Sequence, residues 1–341
     1  MARVRIVDVA QRAGVSTATV SLVLNNVESR ISEATAAAVR NAAAELGYSP
    51  DLTARSLRRQ RTQLVGLVSD HVVTTPFAGL MVQGAQDACL ERDHLLLIAN
   101  TDGDTQVEHR LIDSLQARRV DGYLYARMRH EVAEIPRELA GATVVGLDVE
   151  LAGRTSCVPD EYGGARAATQ LLLDAGHHRI AHLRGHPRAP ASTQRFAAFR
   201  ALTAETVGFD ESLVRVHADD DPRRDSVFAE QSARQLLGAP ERPTAVFAFN
   251  DSMAIGVYRA AERLGLRIPQ DLSVIGFDNQ WLVAEEVNPP LTTVALPHRR
   301  MGWVAANALI DALTGVASDP ALRIVACPLV RRESVAPPPR G

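Results

Sequence analysis

Hydrophobic positions in the first fifty residues recur with the spacing of short helices. The first stripe follows an i, i+3, i+4, i+7 pattern and consists of Ile6, Val9, Ala10 and Ala13. Gly14 interrupts this stripe, and Ser16 is a residue type that caps a helix N-terminus. The second stripe consists of Val20, Val23, Leu24 and Val27. Ser32 and Gly47 bound a third helix, whose inner face is Val39, Ala42, Ala43 and Leu46. The pattern predicts an all-α helix-turn-helix module.

From Leu64 onward the pattern changes to short apolar runs that alternate with amphipathic stretches. The runs predict strands at 64–68, 95–99, 122–125, 143–147, 179–183, 244–249 and 273–277. The stretches predict helices at 77–92, 105–117, 161–175, 193–205, 224–237 and 251–264. Continuous apolar strands separated by helices predict parallel sheets covered on both faces. The repeats are too many for one small sheet, so the body is an α/β structure with more than one sheet.

Charge divides the chain at the same place. Residues 1–61 carry nine arginines against five acidic residues, a net charge of +4. The remainder carries 28 arginines against 35 acidic residues, a net charge of −7, and the chain has no lysine. A basic head on an acidic body indicates a separate module for an anionic partner such as nucleic acid.

Length and composition exclude several classes of protein. The chain has 341 residues, enough for two or three domains, and no apolar run approaches the ~20 residues that span a bilayer. Charges occupy the N-terminal stretch where a signal peptide needs apolar residues. Cys89, Cys157 and Cys327 are few, far apart and without metal-ligand spacing. We therefore expect a cytoplasmic, nucleoid-associated protein without membrane contact, metal or cofactor.

Three stretches of the head resemble one family closely. They are IVDVAQRAGVSTATVSLVLNN, ISEAT and AAAELGYSPDLTARSLR. Together they are similar to the head of the LacI/GalR family of bacterial transcription regulators, including the link to its hinge. Further segments that resemble the family follow in the expected order, among them FAGLMVQGAQDA, PTAVFAFNDSMAIG and IPQDLSVIGFDN. The resemblance implies a two-lobed periplasmic-binding-protein-like core of doubly wound parallel sheets, with three chain crossings between the lobes.

The resemblance also implies domain limits. The expected limits are a DNA-binding domain over 1–48, a hinge over 49–61, and a core over 62–341. Lobe 1 would cover about 62–160 and 293–322, and lobe 2 about 161–292 and 323–341.

In a helix-turn-helix the second helix enters the major groove N-terminus first. Its early exposed residues, Thr17, Ala18 and Leu22, would then face base edges. Many family members have a basic or polar residue at the position of Leu22, so the usual base preference does not carry over. Candidate phosphate contacts, which position the helix without reading sequence, are Ser16, Thr19, Ser21 and Asn25.

Residues 50–58 connect the head to the acidic body and can form about two helical turns. So short a helix is marginal alone, so we expect it to form against a second copy and DNA. By resemblance, Leu57 occupies the place of the family's minor-groove lever, which kinks the duplex by wedging into a base step. Arg55 and its neighbouring arginines give the segment a phosphate-facing character.

Polar residues end several apolar strands of the body. Asp148 follows VVGL, Asn250 follows VFAF, Asp278 follows VIGF, and Arg195 lies in the helix after the GHPRAPASTQ loop. Ligands of two-lobed α/β proteins bind in the cleft outside the carboxyl ends of strands. By resemblance, these four positions match the family's effector-contacting residues. Carboxylates, an amide and a guanidinium together suit the vicinal hydroxyls of a sugar.

Other residues near the expected cleft have less definite roles. Phe77 and Trp281 can supply flat faces for a ring, whereas Asp251 is expected to be a structural N-cap. The segment ADDDPRRDSV has charged residues where family members stack an aromatic on the ligand. Arg188 and Arg224 are further possible contacts, so a sugar phosphate or sugar acid also remains open.

The two alternative functions are an enzyme and the solute-binding protein of a transporter. An enzyme needs a nucleophile, a base and an orienting group in reach of each other. His178 and His182 could share a strand face, but no cysteine or carboxylate completes a set. A solute-binding protein of a transporter would share the core architecture but not the basic head. The sequence therefore predicts a repressor, not an enzyme, that binds a palindromic operator as a homodimer under control of a small sugar-like effector.

Overall fold

The computed structural model describes residues 4–24, 31–48, 61–75, 78–219, 221–316 and 319–339. The chain divides into two compact units, Met1–Thr62 and Gln63–Gly341. Among the residues described, no helix has the length and apolar character needed to cross a membrane.

Over its described residues, the first unit contains three helices around a small apolar core. The helices are α1 (Ile6–Ala13), α2 (Thr17–Leu24) and α3 (Glu33–Leu46). The predicted stripes face inward, since the core consists of Val9, Ala10, Val20, Val23, Ala36, Val39, Ala42 and Ala43. The prediction of a helix-turn-helix is confirmed over the described residues.

The predicted helix ends also form as expected. Gly14 has φ 66° and Gly47 has φ 63°, the left-handed conformation that glycine adopts without a Cβ clash. Ser16 caps α2, because its Oγ accepts from the backbone N–H of Thr19 at 3.1 Å. Ser32 caps α3 by accepting from the N–H of Thr35 at 3.2 Å. Local sequence signals therefore fix the geometry of the head.

The second unit is built from two sheets and the helices that cover them. Its strands are β1 (Leu64–Ser69), β2 (Leu95–Asn100), β3 (Gly122–Ala133), β4 (Val144–Leu151), β5 (Ser156–Pro159), β6 (Ile180–Arg184), β7 (Val214–Val216), β8 (Ala245–Ala248), β9 (Ser273–Asp278), β10 (Thr292–Ala295), β11 (Leu322–Val325) and β12 (Leu329–Val330). Its α-helices are α4 (Gly79–Glu91), α5 (Thr105–Ala117), α6 (Glu161–Asp174), α7 (Pro190–Thr206), α8 (Asp225–Leu237), α9 (Asp251–Arg263), α10 (Trp281–Ala284) and α11 (His298–Thr314).

Each sheet has six strands and the order of a doubly wound fold. Lobe 1 has the order β11-β5-β4-β3-β1-β2, and lobe 2 has β12-β10-β9-β8-β6-β7. All pairings are parallel except that of β12 with β10. The predicted pair of parallel sheets is confirmed. The five short strands β5, β7, β10, β11 and β12 and the helices α10 and α11 were not predicted.

The chain passes between the two lobes at three places, as expected. The crossings follow β5, β10 and β11. Two of the predicted lobe limits need correction, because 292/293 falls inside β10 and 322/323 falls inside β11. The second crossing therefore lies after Ala295 and the third after Val325, since sheet pairing keeps each strand whole within its lobe.

Helix α11 is an essential part of lobe 1 although it lies late in the sequence. Met301, Ala305 and Leu309 are buried in the same core as Val65 and Leu67 of β1. The helix crosses α4 at two glycines. A Cβ at Gly84 would lie 1.8 Å from the Arg299 carbonyl oxygen, and a Cβ at Gly302 would lie 2.0 Å from that of Met81. The two helices thus pack backbone to backbone.

Candidate functional site

A cavity of about 260 Å³ lies between the carboxyl ends of strands from both sheets of the second unit. Lobe 1 contributes Asp148 at β4 and the end of β3. Lobe 2 contributes Arg195 from α7, Asn250 after β8, and Asp278 at the end of β9. The structure thus brings together the four residues that the sequence predicted for the cleft. Since the volume lies below the ~300–1,000 Å³ of drug-sized sites, the cavity suits a small ligand.

Arg195 is the buried guanidinium of this cavity, with 3% of its surface exposed. Its Nε donates to Glu161 Oε2 at 2.6 Å, and its Nη1 donates to the Phe249 carbonyl oxygen at 2.5 Å. The Asp278 carboxylate lies 3.8 Å from the same Nη1. The Phe277 ring lies beneath the guanidinium, 3.5 Å from its carbon. These contacts compensate the buried charge and fix the direction of the arginine.

Asp148 and Asp278 carry carboxyls in unusual surroundings. Their backbone φ angles are 58° and 110°, conformations that non-glycine residues seldom adopt and that are often found at functional sites. Burial, followed by the nearby Glu161 carboxylate, raises the pKa of Asp148 well above its usual range. Burial raises the pKa of Asp278 to about 7, against the lowering effect of Arg195. Both side chains are thus held where their charged forms are disfavoured.

Asn250 connects the cavity to the start of α9. Its Oδ1 accepts from the N–H of Met253 at 2.8 Å, so Asn250 is the N-cap. The expectation that Asp251 would be the N-cap is wrong, because Asp251 is the first helical residue. Asp251 is nevertheless structural: its Oδ1 accepts from the Thr293 hydroxyl at 2.6 Å and its Oδ2 from the Gln280 N–H at 2.7 Å.

Asn250 also introduces a residue that the sequence did not single out. Its Nδ2 donates to Asp225 Oδ2 at 2.7 Å. Asp225 is buried, and His217 Nε2 lies 3.4 Å from its other oxygen. His217 follows β7, and its ring stacks on Phe228 with centroids 4.4 Å apart. The three-residue strand β7 is too short to be recognised from its apolar pattern, so the rule that led to Asp148 could not lead to His217.

His130 is a second residue that the sequence analysis missed. The pairing of β3 with β4 shifts register between Ala126 and Glu131, and this irregular segment lies at the cavity. Asp70 holds it by accepting from the Met128 N–H at 3.0 Å. His130 is buried and its Nε2 lies 2.9 Å from Glu150 Oε1. Strand irregularities of this kind re-aim side chains beside functional sites.

Several residues expected at the cleft lie elsewhere. Trp281 is 59% exposed at the start of α10 and is not part of the cavity wall. Arg188 is not part of the wall either. Arg224 pairs with Asp219 at 2.9 Å, and only Asp219 lines the cavity. Phe77 lies outside the described residues.

The recognition helix presents an apolar and hydroxyl surface. Thr17 and Ala18 are exposed at the start of α2, and Leu22, 37% exposed, lies one turn later. The Ser16 and Thr19 hydroxyls lie 2.9 Å apart, so these two candidate phosphate contacts also bond to each other. Ser21 is half-buried. The candidates Asn25, Arg55 and Leu57 lie outside the described residues.

His178 and His182, the two histidines that could share a strand face, lie in different surroundings. His182 is buried among Phe196, Phe199 and Phe247, and burial lowers its pKa to about 4. His178 is exposed before β6. Among the described residues, no group of three or more histidine, cysteine or acidic side chains has the geometry to hold a metal ion.

A basic helix-turn-helix head and a two-lobed α/β core with a polar cleft cavity define a class of protein, the ligand-responsive DNA-binding regulators. Comparison with known proteins identifies the family. The family model for bacterial regulatory proteins of the lacI family matches residues 5–51, and that for the periplasmic binding protein-like domain matches residues 169–335.

Relatives match along most of the chain. The ribose operon repressor of Escherichia coli strain K12 is 36% identical over 313 residues, which cover 90% of this chain and 92% of the repressor. The transcriptional repressor PurR of Vibrio atlanticus is 36% identical over 309 residues, covering 89% and 90%. The solved complex of the regulator CelR with cellobiose has a TM-score of 0.67 and 33% identity, and the match covers 97% of this chain and 100% of that one. The chain therefore belongs to the LacI family of bacterial regulatory proteins.

Proposed function

We propose that this protein is a transcriptional repressor that binds a palindromic operator as a homodimer, and that a small sugar-like effector in the cleft cavity controls its affinity for DNA. The observation that carries the proposal is the presence, in one LacI-family chain, of a helix-turn-helix head and a cavity lined from both lobes. The repressor relatives support the sign of regulation. Two-fold dimers of such heads read two half-sites one helical turn apart.

Asp148, Arg195, Asn250 and Asp278 are the proposed effector contacts. They converge on one cavity, and their carboxyl, amide and guanidinium groups can donate to and accept from adjacent hydroxyls. Because the cavity walls come from both lobes, a ligand there contacts both. It can therefore stabilise one angle between the lobes over another, to the extent that its affinity for the two states differs.

In the head, Thr17, Ala18 and Leu22 are the proposed base-reading residues, and the hinge supplies Leu57 and Arg55. The exposure of the first three on α2 supports this assignment. Thr17 can bond to a base edge or touch a thymine methyl group, whereas Ala18 and Leu22 offer apolar contacts only.

The absence of catalysis and a cytoplasmic location belong to the same proposal. His182 is packed among aromatic rings and His178 lies on the surface, so these two histidines do not form a shared catalytic face. A regulator of chromosomal operators acts where the DNA is. The alternative of a transporter's solute-binding protein is disfavoured by the head, which such a protein does not need.

The test is a thermal-shift screen of sugars, sugar phosphates and nucleosides on the full chain. Gel shifts with and without each hit follow, on an operator selected with this protein from random DNA duplexes. We expect a sugar hit that weakens operator binding. A nucleobase as the only hit would contradict the sugar assignment, and a hit that leaves DNA binding unchanged would contradict effector control. Asp278→Asn should lose the hit while keeping operator binding, whereas the surface variant Asp113→Asn should keep both.

A further inference from the structure

Three buried polar atoms of the cavity wall lack a hydrogen-bond partner among the described residues. They are Oδ1 of Asp148, Nδ1 of His130 and Nε2 of His217, whose 3.4 Å approach to Asp225 Oδ1 is an ion-pair contact without hydrogen-bond geometry. All three residues are buried, with 4% of the surface of Asp148, 4% of that of His130 and 6% of that of His217 exposed. A buried polar atom without a partner is unfavourable, so native proteins satisfy nearly all of them. Three such atoms around one cavity therefore indicate a ligand that supplies several hydrogen-bonding groups at once.

The two histidines approach the cavity from opposite lobes. His130 belongs to β3 of lobe 1, and His217 follows β7 of lobe 2. The Glu150 carboxylate only accepts, so Nε2 of His130 donates to it, and in the neutral tautomer Nδ1 is then an acceptor. A ligand hydroxyl can donate to that Nδ1. His217 is held by its stacking on Phe228, and its Nε2 lies at the cavity wall 3.4 Å from Asp225 Oδ1.

The charge of the cavity restricts the ligand further. Its wall contains the acidic residues Asp148, Glu161, Asp219, Asp225 and Asp278, against the arginines 129 and 195. Arg129 is exposed at the surface. Arg195, the buried one, already serves Glu161 and the Phe249 carbonyl. An anionic ligand would therefore add negative charge to a wall in which acidic side chains outnumber arginines.

The behaviour of the wall's own carboxyls supports this conclusion. Burial raises the pKa of Asp225 as well as those of Asp148 and Asp278. The protein environment thus already disfavours negative charge at three points of the cavity. An additional anion would meet the same desolvation and the same neighbours.

We propose that the cavity takes an uncharged polyol of monosaccharide size, rejects its phosphorylated and carboxylated forms, and binds its hydroxyls through His130 and His217 from the two lobes. The proposal rests on the proposed function, because it takes this cavity as the effector site. It narrows the effector from sugar-like compounds in general to uncharged ones, and it adds two specificity-determining residues.

Ligand class is tested by isothermal titration of the full chain with matched pairs of compounds. The panel contains aldopentoses and aldohexoses, each with its terminal phosphate and its aldonic acid. We expect at least one uncharged member to bind, and its phosphate and acid to bind at least tenfold more weakly. A phosphate or acid that binds more tightly than its parent would overturn the proposal, as would a panel without an uncharged binder.

The same samples in an operator gel shift separate this proposal from the proposed function. An uncharged ligand that binds without changing operator affinity would refute effector control while leaving the ligand class intact. A phosphate that binds best and releases DNA would refute the ligand class while leaving effector control intact.

The histidine contacts are tested with crossed amide substitutions. An asparagine places its terminal atoms near the position of Nδ1, and a glutamine near the position of Nε2. His130→Gln should therefore keep the Glu150 contact but weaken the ligand about tenfold, whereas His130→Asn should retain affinity better. At position 217 the order should reverse, with His217→Gln the better binder and His217→Asn about tenfold weaker.

Control measurements separate ligand contact from packing. His178→Asn, on the surface, should leave affinity unchanged. Thermal midpoints without ligand should be similar within each pair of variants. If asparagine and glutamine at each position weaken the ligand equally, the histidines serve packing alone and the proposed contacts are refuted.

Discussion

The buried pair of Glu161 and Arg195 offers the sharpest test of how the cavity is held together. Both side chains are at most 3% exposed, and the Nε to Oε2 distance is 2.6 Å. Glu161→Ala would leave the guanidinium buried with only Asp278, 3.8 Å away, as a charged partner. Breaking a buried ion pair from one side costs about 3–5 kcal/mol. Since Asp278 can partly replace Glu161 as the partner of Arg195, we expect the unfolding free energy to fall by about 3 kcal/mol.

Glu161→Gln is the matched comparison. Glutamine keeps an acceptor for the arginine Nε but removes the charge, so the guanidinium retains a hydrogen bond. It also removes a negative neighbour that raises the pKa of Asp278, which makes the Asp278 carboxylate a better partner for Arg195. We expect the unfolding free energy to fall by about 1–2 kcal/mol, which is the difference between a charge-assisted and an ordinary hydrogen bond.

Urea unfolding of the full chain, followed by circular dichroism and by tryptophan fluorescence, measures both values. Coincident transitions would justify reading the free energies directly. Glu205→Gln, on the exposed side of α7, controls for general effects of removing a carboxylate. The reasoning is refuted if Glu161→Ala costs less than about 1 kcal/mol, or if alanine and glutamine cost the same, because the buried charge then needs no partner.

Three further outcomes are expected. Gly302→Ala should lower the unfolding free energy measured in urea by about 3 kcal/mol or more, because its Cβ meets backbone. Gly79→Ala should leave the unfolding free energy unchanged, because a Cβ there meets nothing within 4 Å. Equal effects of the two substitutions would contradict this reasoning. The folded-state pKa of His182, about 4 instead of 6.5, means that the unfolded chain binds more protons between these values, so stability is lost as pH falls through that window. His182→Phe removes this loss, so the wild type's stability relative to the variant should fall by about 2 kcal/mol between pH 7.5 and about pH 5; a constant difference would refute it. Leu57→Ala should abolish tight operator binding in a gel shift and leave effector binding intact, and unchanged operator affinity would reject the lever role.

The sequence was informative where one local signal fixes the structure. Asp148 and Asp278 were predictable because each directly follows an apolar run, and residues towards the carboxyl ends of parallel strands meet at one edge of a sheet. The head was predictable because Gly14, Ser16 and Gly47 are strong helix-end signals. In these cases the short-range pattern and the tertiary fold require the same conformation.

The residues that sequence reasoning missed depend on features without a local signal. His130 reaches the cavity through a register shift between β3 and β4, which only the pairing of two strands produces. His217 follows a strand of three residues, too short for a periodic pattern. Trp281 was misplaced for the opposite reason. It lies close to Asp278 in sequence, but the short helix α10 begins at Trp281 and leaves its ring exposed.

The position of α11 has a consequence for how the chain folds during synthesis. Lobe 1 begins at β1, yet its core is completed by α11 and its sheet by β11, more than 220 residues later, after most of lobe 2 has been made. Contacts of such long sequence separation form slowly, since their closure entropy is lost before packing compensates it. On the ribosome, the half-built lobe 1 must wait with an exposed apolar face while lobe 2 folds. We therefore expect lobe 1 to complete its fold only after α11 and β11 have left the ribosome.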